Sequence, residues 1–175
     1  MTRYVAFLRA INVGGRNMVA MRDLRRLFVE LGCRDVTTRL QSGNVLFMSG
    51  QEPPAAAQIE AAIAQELGVS TRVLLRSRNE MAAICAGNPF VRSDGDLAQL
   101  YVAFLGGAPD TVRVEAFGAP GVERFRIEGT HLYLQYPGRY SDSKLTNAYI
   151  EQRLDVVATT RNWRVTTELA ALLGR

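Results

Sequence analysis

Two groups of residues in this sequence have the types and spacing to hold an anion. The first is Arg9, Asn12, Gly14, Gly15, Arg16 and Asn17, followed later by Gln41, Ser42, Gly43 and Asn44. Glycines let successive backbone N–H groups converge into an anion-binding nest. Arginine and asparagine add side-chain donors for a phosphate or carboxylate. The run Ile11-Asn12-Val13-Gly14-Gly15-Arg16-Asn17 is neither a P-loop nor a dinucleotide fingerprint, since it lacks the Gly-Lys-Ser/Thr ending and the required glycine spacing. The second group is Tyr140, Ser141, Asp142, Ser143, Lys144 and Asn147, with Arg161, Asn162 and Trp163. Lys144 is the single lysine among 21 basic residues. The arginine bias reflects a GC-rich genome and says little about each arginine, but it makes the one lysine conspicuous. Lysine is a compact charge whose pKa shifts readily, so Lys144 is the candidate catalytic group.

The elements that must position these residues follow from hydrophobic periodicity. Residues 3–10 form a strand, 20–31 an amphipathic helix ended by Gly32, and 35–41 and 44–49 a hairpin about Ser42-Gly43. A helix opens at Pro53-Pro54 and runs to Leu67, and a strand occupies 70–76. The order is β-α-β-β-α-β, the ferredoxin-like arrangement. After a connecting helix at 78–87 the order repeats. It comprises a strand at 98–105, a short helix at 109–117, a hairpin of 122–128 and 131–136 about Gly129, a helix at 143–154 and a strand at 156–160. A terminal helix occupies 162–173. The expected fold is α+β, with two ferredoxin-like halves carrying antiparallel sheets, a connecting helix and a C-terminal helix. The divisions fall at 1–77, 78–97 and 98–175. The match between the halves is one of topology, with no sequence repeat expected.

In such a unit the first two strands are parallel, so the loop after the first strand and the hairpin after the second share one end of the sheet. That unites the first group. By the same geometry the loop before helix 143–154 lies beside the end of strand 156–160, which unites the second. With Ser141 or Asp142 as the cap, Lys144 falls in the first helical turn, where the helix dipole disfavours a cation unless an anion is bound there.

Composition narrows the function classes. Hydrophobic residues make up 47% and charged residues 22%, enough apolar surface for a buried core. No stretch approaches a membrane span, and the start of the chain has no signal-peptide organisation, so the expected location is cytoplasmic with no membrane partner. Two cysteines, Cys33 and Cys85, and one histidine, His131, leave no basis for a disulfide framework or a metal site, and no cofactor is expected. Glu123, Glu128 and Glu151 read as solvated positions. The net charge of +4 permits nucleic acid as a partner. An open RNA-binding sheet is disfavoured, because the central strands are apolar on both faces.

Five blocks together resemble a known family. They are Leu8-Arg9-Ala10-Ile11-Asn12-Val13-Gly14-Gly15, Gln41-Ser42-Gly43-Asn44-Val45, Asn88-Pro89-Phe90, Ser143-Lys144-Leu145-Thr146-Asn147 and Thr160-Arg161-Asn162-Trp163. They are similar, in the same order along nearly the whole chain, to the signature blocks of the bacterial domain of unknown function 1697. The resemblance implies a duplicated ferredoxin-like architecture and no particular activity. Ala10 stands where the family has glycine, which implies that glycine's freedom is not essential there. Near the end of the chain, Asn162-Trp163-Arg164-Val165-Thr166 stands where the family has Asn-Trp-Arg-Thr.

The favoured function is binding of a small phosphorylated or carboxylated ligand, either with or without catalysis. Arg161 and Arg9 would hold the anion, and Lys144→Arg would impair binding although charge is kept. The alternatives are a nucleic-acid-associated protein and a structural or oligomerising module without a ligand.

Overall fold

Tyr4-Val5-Ala6-Phe7-Leu8 and Tyr101-Val102-Ala103-Phe104-Leu105 are the same five residues, and each run lies in a central strand of a sheet. The expectation of no sequence echo between the halves therefore fails at their centres. A computed structural model of the protein describes residues 1–50, 52–91 and 96–175. Part of the expected connecting loop, 92–95, lies outside the described residues. The fold is mixed α+β, with two four-stranded antiparallel sheets and six α-helices among the described residues. Met1–Ala82 with Leu169–Arg175 form one compact unit, and Ala83–Glu168 form the other. No helix among the described residues is long and apolar enough to cross a membrane.

The first sheet contains β1 (Thr2–Leu8), β2 (Arg34–Arg39), β3 (Asn44–Ser49) and β4 (Val73–Ser77), in the order β2-β3-β1-β4. Helices α1 (Met21–Glu30) and α2 (Ala56–Leu67) complete a β-α-β-β-α-β order, and α3 (Arg78–Gly87) follows. Ala6, Leu8, Val45 and Phe47 from the sheet meet Leu24, Leu27, Phe28, Ile59 and Ile63 from α1 and α2. Val5 and Phe7, on the opposite face of β1, are equally buried. Alternation along a strand thus gives a β1 with neither face open. Pro53-Pro54 precede α2 instead of opening it. Gln58 accepts a hydrogen bond from the Ala55 N–H at 2.9 Å and starts the helix at Ala56.

The second sheet contains β5 (Leu100–Leu105), β6 (Arg124–Glu128), β7 (His131–Gln135) and β8 (Ala158–Asn162), in the order β6-β7-β5-β8. Its helices are α4 (Thr111–Ala116), α5 (Asn147–Leu154) and α6 (Trp163–Gly174). The registers coincide between sheets. Val5 pairs with Arg76 as Val102 pairs with Arg161, and Tyr4 pairs with Ser77 as Tyr101 pairs with Asn162. Both of these arginines fold a guanidinium back onto the preceding carbonyl, Arg76 onto Leu75 at 2.7 Å and Arg161 onto Thr160 at 3.0 Å. Ser77 and Asn162 each end the last strand and cap the next helix. Ser77 exchanges hydrogen bonds with Glu80, and Asn162 Oδ1 accepts from the Val165 N–H at 2.8 Å.

Candidate functional site

The first group is assembled as its topology requires, and its asparagine carboxamides close the assembly. Asn12 Nδ2 donates to the Gln41 carbonyl at 2.8 Å and to the Val19 carbonyl at 3.1 Å, while its Oδ1 accepts from the Val19 N–H at 2.7 Å. One carboxamide therefore ties three stretches of chain. Asn17 Nδ2 donates to the Ala10 carbonyl at 3.1 Å. Asn44, fully buried, donates to the Arg39 carbonyl and to Ser42 Oγ at 3.0 and 3.2 Å. The Arg9 backbone pairs with Arg72, and its carbonyl accepts from Thr71 Oγ1.

These bonds hold a backbone that is unusually left-handed. Ala10, Asn12, Gly14, Gly15, Asn17, Leu40 and Gly43 all have φ between 50° and 78°. Gly43 has no alternative, since a Cβ there would lie 2.8 Å from Ile11 Cδ1 and 2.9 Å from Leu8 Cβ. Ala10, at φ 56°, occupies the conformation that glycine would adopt without strain, so alanine is accommodated there at a cost in backbone strain. Gly14, Gly15, Arg16, Gln41 and Ser42 are exposed at the loop tips.

The second group is assembled differently from the sequence expectation. Helix α5 starts at Asn147, and its cap is Thr146, whose Oγ1 accepts from the Tyr149 N–H at 3.2 Å. Ser141 and Asp142 bond each other and do not cap a helix; Tyr140–Asp142 form a 3-10 turn. Lys144 therefore precedes the helix and is exposed, and the argument from the helix dipole does not apply to it. Ser143 is the reason. Its hydroxyl donates to Glu123 Oε1 and accepts from the Leu145 N–H at 2.9 Å, which leaves the cap to Thr146. Glu123 is thus no ordinary solvated residue: its second oxygen is buried and without a hydrogen-bond partner among the described residues. Glu151 is likewise structural, accepting from the Ala158 N–H at 3.0 Å.

Tyr140 and Asn147 do meet the end of β8. Asn147 Oδ1 accepts from Thr160 Oγ1 at 2.6 Å. The Tyr140 ring stacks on Tyr101 at 4.8 Å and meets Tyr136 edge-on at 5.0 Å. Burial raises the pKa of the Tyr140 phenol, partly countered by its hydrogen bond with Thr160 and by Arg161. Arg161 donates to Thr159 Oγ1 at 2.9 Å, and burial lowers its pKa to about 10, so it remains a cation at neutral pH.

A cavity of about 560 Å³ opens where β8 passes into α6. Its walls are Leu97, Ala98, Asn162, Trp163, Arg164 and Thr167. Trp163 is 7% exposed and fills core, while also forming part of this wall. The exposed Arg164 guanidinium carries no hydrogen bond or ion pair among the described residues. Sequence reasoning stopped at Trp163 and missed Leu97, Ala98, Arg164 and Thr167. A smaller cavity of about 210 Å³ is lined by Glu123, Tyr136, Arg139, Asp142 and Ser143 among others, so the loop before α5 borders a separate space. Among the described residues no cluster of three or more metal-ligating side chains occurs.

Fold and site together define an α+β protein of two similarly built units with a half-open, largely apolar cavity at the head of the last helix. The chain belongs to the family described as protein of unknown function (DUF1697), which matches residues 1–133. Among solved structures, the conserved bacterial protein SP0830 from Streptococcus pneumoniae is similar to it, with a TM-score of 0.78 and 23% identity, covering 100% of this chain and 99% of that one. That likeness concerns the fold. No curated protein matches the chain.

Proposed function

We propose that the protein binds a small anionic ligand in the cavity at the head of α6, on a scaffold of two duplicated ferredoxin-like units. The observation that carries this reading is the cavity itself. Its volume lies in the range typical of small-molecule sites, its walls are mostly apolar, and Arg164 brings a cation with no partner among the described residues to its wall. The five-residue run shared by the central strands, the shared strand order and the paired registers support duplication, with halves at 1–77 and 98–175 joined by a connecting segment at 78–97.

Burial of β1 and β5 on both faces leaves those strands no surface on which bases could stack, which favours a small ligand over nucleic acid. The first group is better read as a fold determinant, because Asn12, Asn17 and Asn44 already satisfy backbone carbonyls. Lys144, exposed and next in sequence to Ser143 of the smaller cavity's wall, stands as the second candidate anion holder and as the candidate chemical group.

A thermal-shift panel of carboxylates and phosphates tests this reading. A ligand present at 100 times its Kd adds about 2.7 kcal/mol of stability if it binds only the folded state. The expected result is a full shift in wild type and in Lys144→Ala, reduced to about half in Arg164→Ala. A shift lost only in Lys144→Ala would move the site to the loop before α5. No shift with any anion would leave the structural-module reading ahead.

A further inference from the structure

The cavity at the head of α6 sets Leu97, Ala98 and Trp163 beside one arginine, Arg164, among the described residues. Resting on the reading above, we propose that its ligand is an amphipathic monocarboxylate: an apolar body against Leu97, Ala98 and the Trp163 indole, with one carboxylate on Arg164. Two polar groups of the wall are engaged within the chain, and the Asn162 Nδ2 donors are not, among the described residues. Asn162 Oδ1 accepts from the Val165 N–H at 2.8 Å. The Thr167 hydroxyl donates to the Trp163 and Arg164 carbonyls at 3.0 and 3.1 Å. A sugar phosphate or nucleotide would bury many hydroxyls and a dianionic group here, with only the Arg164 guanidinium and the Asn162 carboxamide N–H groups to answer them among the described residues. Unanswered polar groups make such a ligand costly to desolvate. A carboxylate needs only the planar fork that arginine presents, and its hydrocarbon body matches the remaining wall.

The site reports on itself, because Trp163 is the protein's only tryptophan. Its emission, excited where a benzene ring does not absorb, is followed during titration with 4-phenylbutyrate, 4-phenylbutan-1-ol and glucose 6-phosphate. The expected result is a saturable change with 4-phenylbutyrate. The neutral alcohol should bind about tenfold more weakly, as should 4-phenylbutyrate to Arg164→Ala, since a charge-assisted hydrogen bond contributes roughly that factor. Arg164 is exposed, and a wild-type melting curve for the variant confirms that its fold is intact. Tighter binding of glucose 6-phosphate than of 4-phenylbutyrate would overturn the carboxylate assignment and leave the anionic-ligand reading standing. Equal binding of acid and alcohol would overturn both, as would the absence of any change in emission.

Discussion

The Asn12 carboxamide makes three hydrogen bonds to backbone groups, whereas the Arg164 guanidinium makes none among the described residues. Both lie in or beside blocks dense in polar side chains, and both blocks suggest anion binding from their composition alone. In the first, the asparagine carboxamides close on the protein's own loops and hold the left-handed backbone from Ala10 to Asn17. The exposed Arg16 guanidinium there, like that of Arg164, carries no bond among the described residues. In the second, Asn162 caps a helix, Trp163 packs, and the residue that follows is left beside a cavity. A polar motif is therefore read by asking where each donor ends and whether a cavity lies beside it, since a satisfied carboxamide holds a turn and a cation at a cavity wall can hold a ligand.

Substitutions can break this comparison. The largest effect is expected for Gly43→Ala, which places a Cβ 2.8 Å from Ile11 at a φ of 78°. Overpacking and left-handed strain together should cost about 3 kcal/mol in urea unfolding, with ligand binding by the folded fraction unchanged. Asn12→Ala should follow at about 2 kcal/mol, because it strands the Val19 N–H and the Gln41 carbonyl. Loss of binding with full stability in Asn12→Ala would make the first group a site after all.

The pH profile of the first unit supplies another check. Burial pushes the Cys33 thiol up to about 11 from 9.0. Between those values the unfolded chain releases a proton that the folded one keeps, so stability should fall as pH rises from 9 to 11. Cys33→Ala should make that part of the profile less steep in thermal melts, since Cys85 and buried tyrosines, also shifted up by burial, keep a share of the slope. The smallest effect has the opposite sign. Ala10→Gly relieves left-handed strain but raises the entropy of the unfolded chain, for a net gain of about 0.5 kcal/mol in the same urea experiment.

Much of the fold was legible because its signals are local. The apolar runs of β1 and β5 mark strands buried on both faces, and helix α3 falls at 78–87 as its pattern indicates. The start of α5 was not legible. Ser141, Asp142, Ser143 and Thr146 are all competent caps, and the choice rests on Glu123, distant in sequence, which takes the Ser143 hydroxyl. The site was half legible for a similar reason. Asn12 and Gln41 could be brought together by strand direction, but whether their groups point at each other or at a ligand depends on loop torsions such as the φ of 53° at Asn12. Leu97 and Arg164 line one cavity only because β5 and β8, which follow and precede them, pair in register. No spacing rule connects them.

The most direct test of the contrast between the two regions is amide chemical-shift mapping during a titration with 4-phenylbutyrate. Perturbations concentrated at Leu97, Ala98 and Asn162 to Thr167, with Ala10 to Asn17 and Gln41 to Asn44 unmoved, are the expected result. Saturable perturbations centred on Asn12, Gly14 and Gly15 would contradict it, and would return the anion to the loop that here only holds itself together.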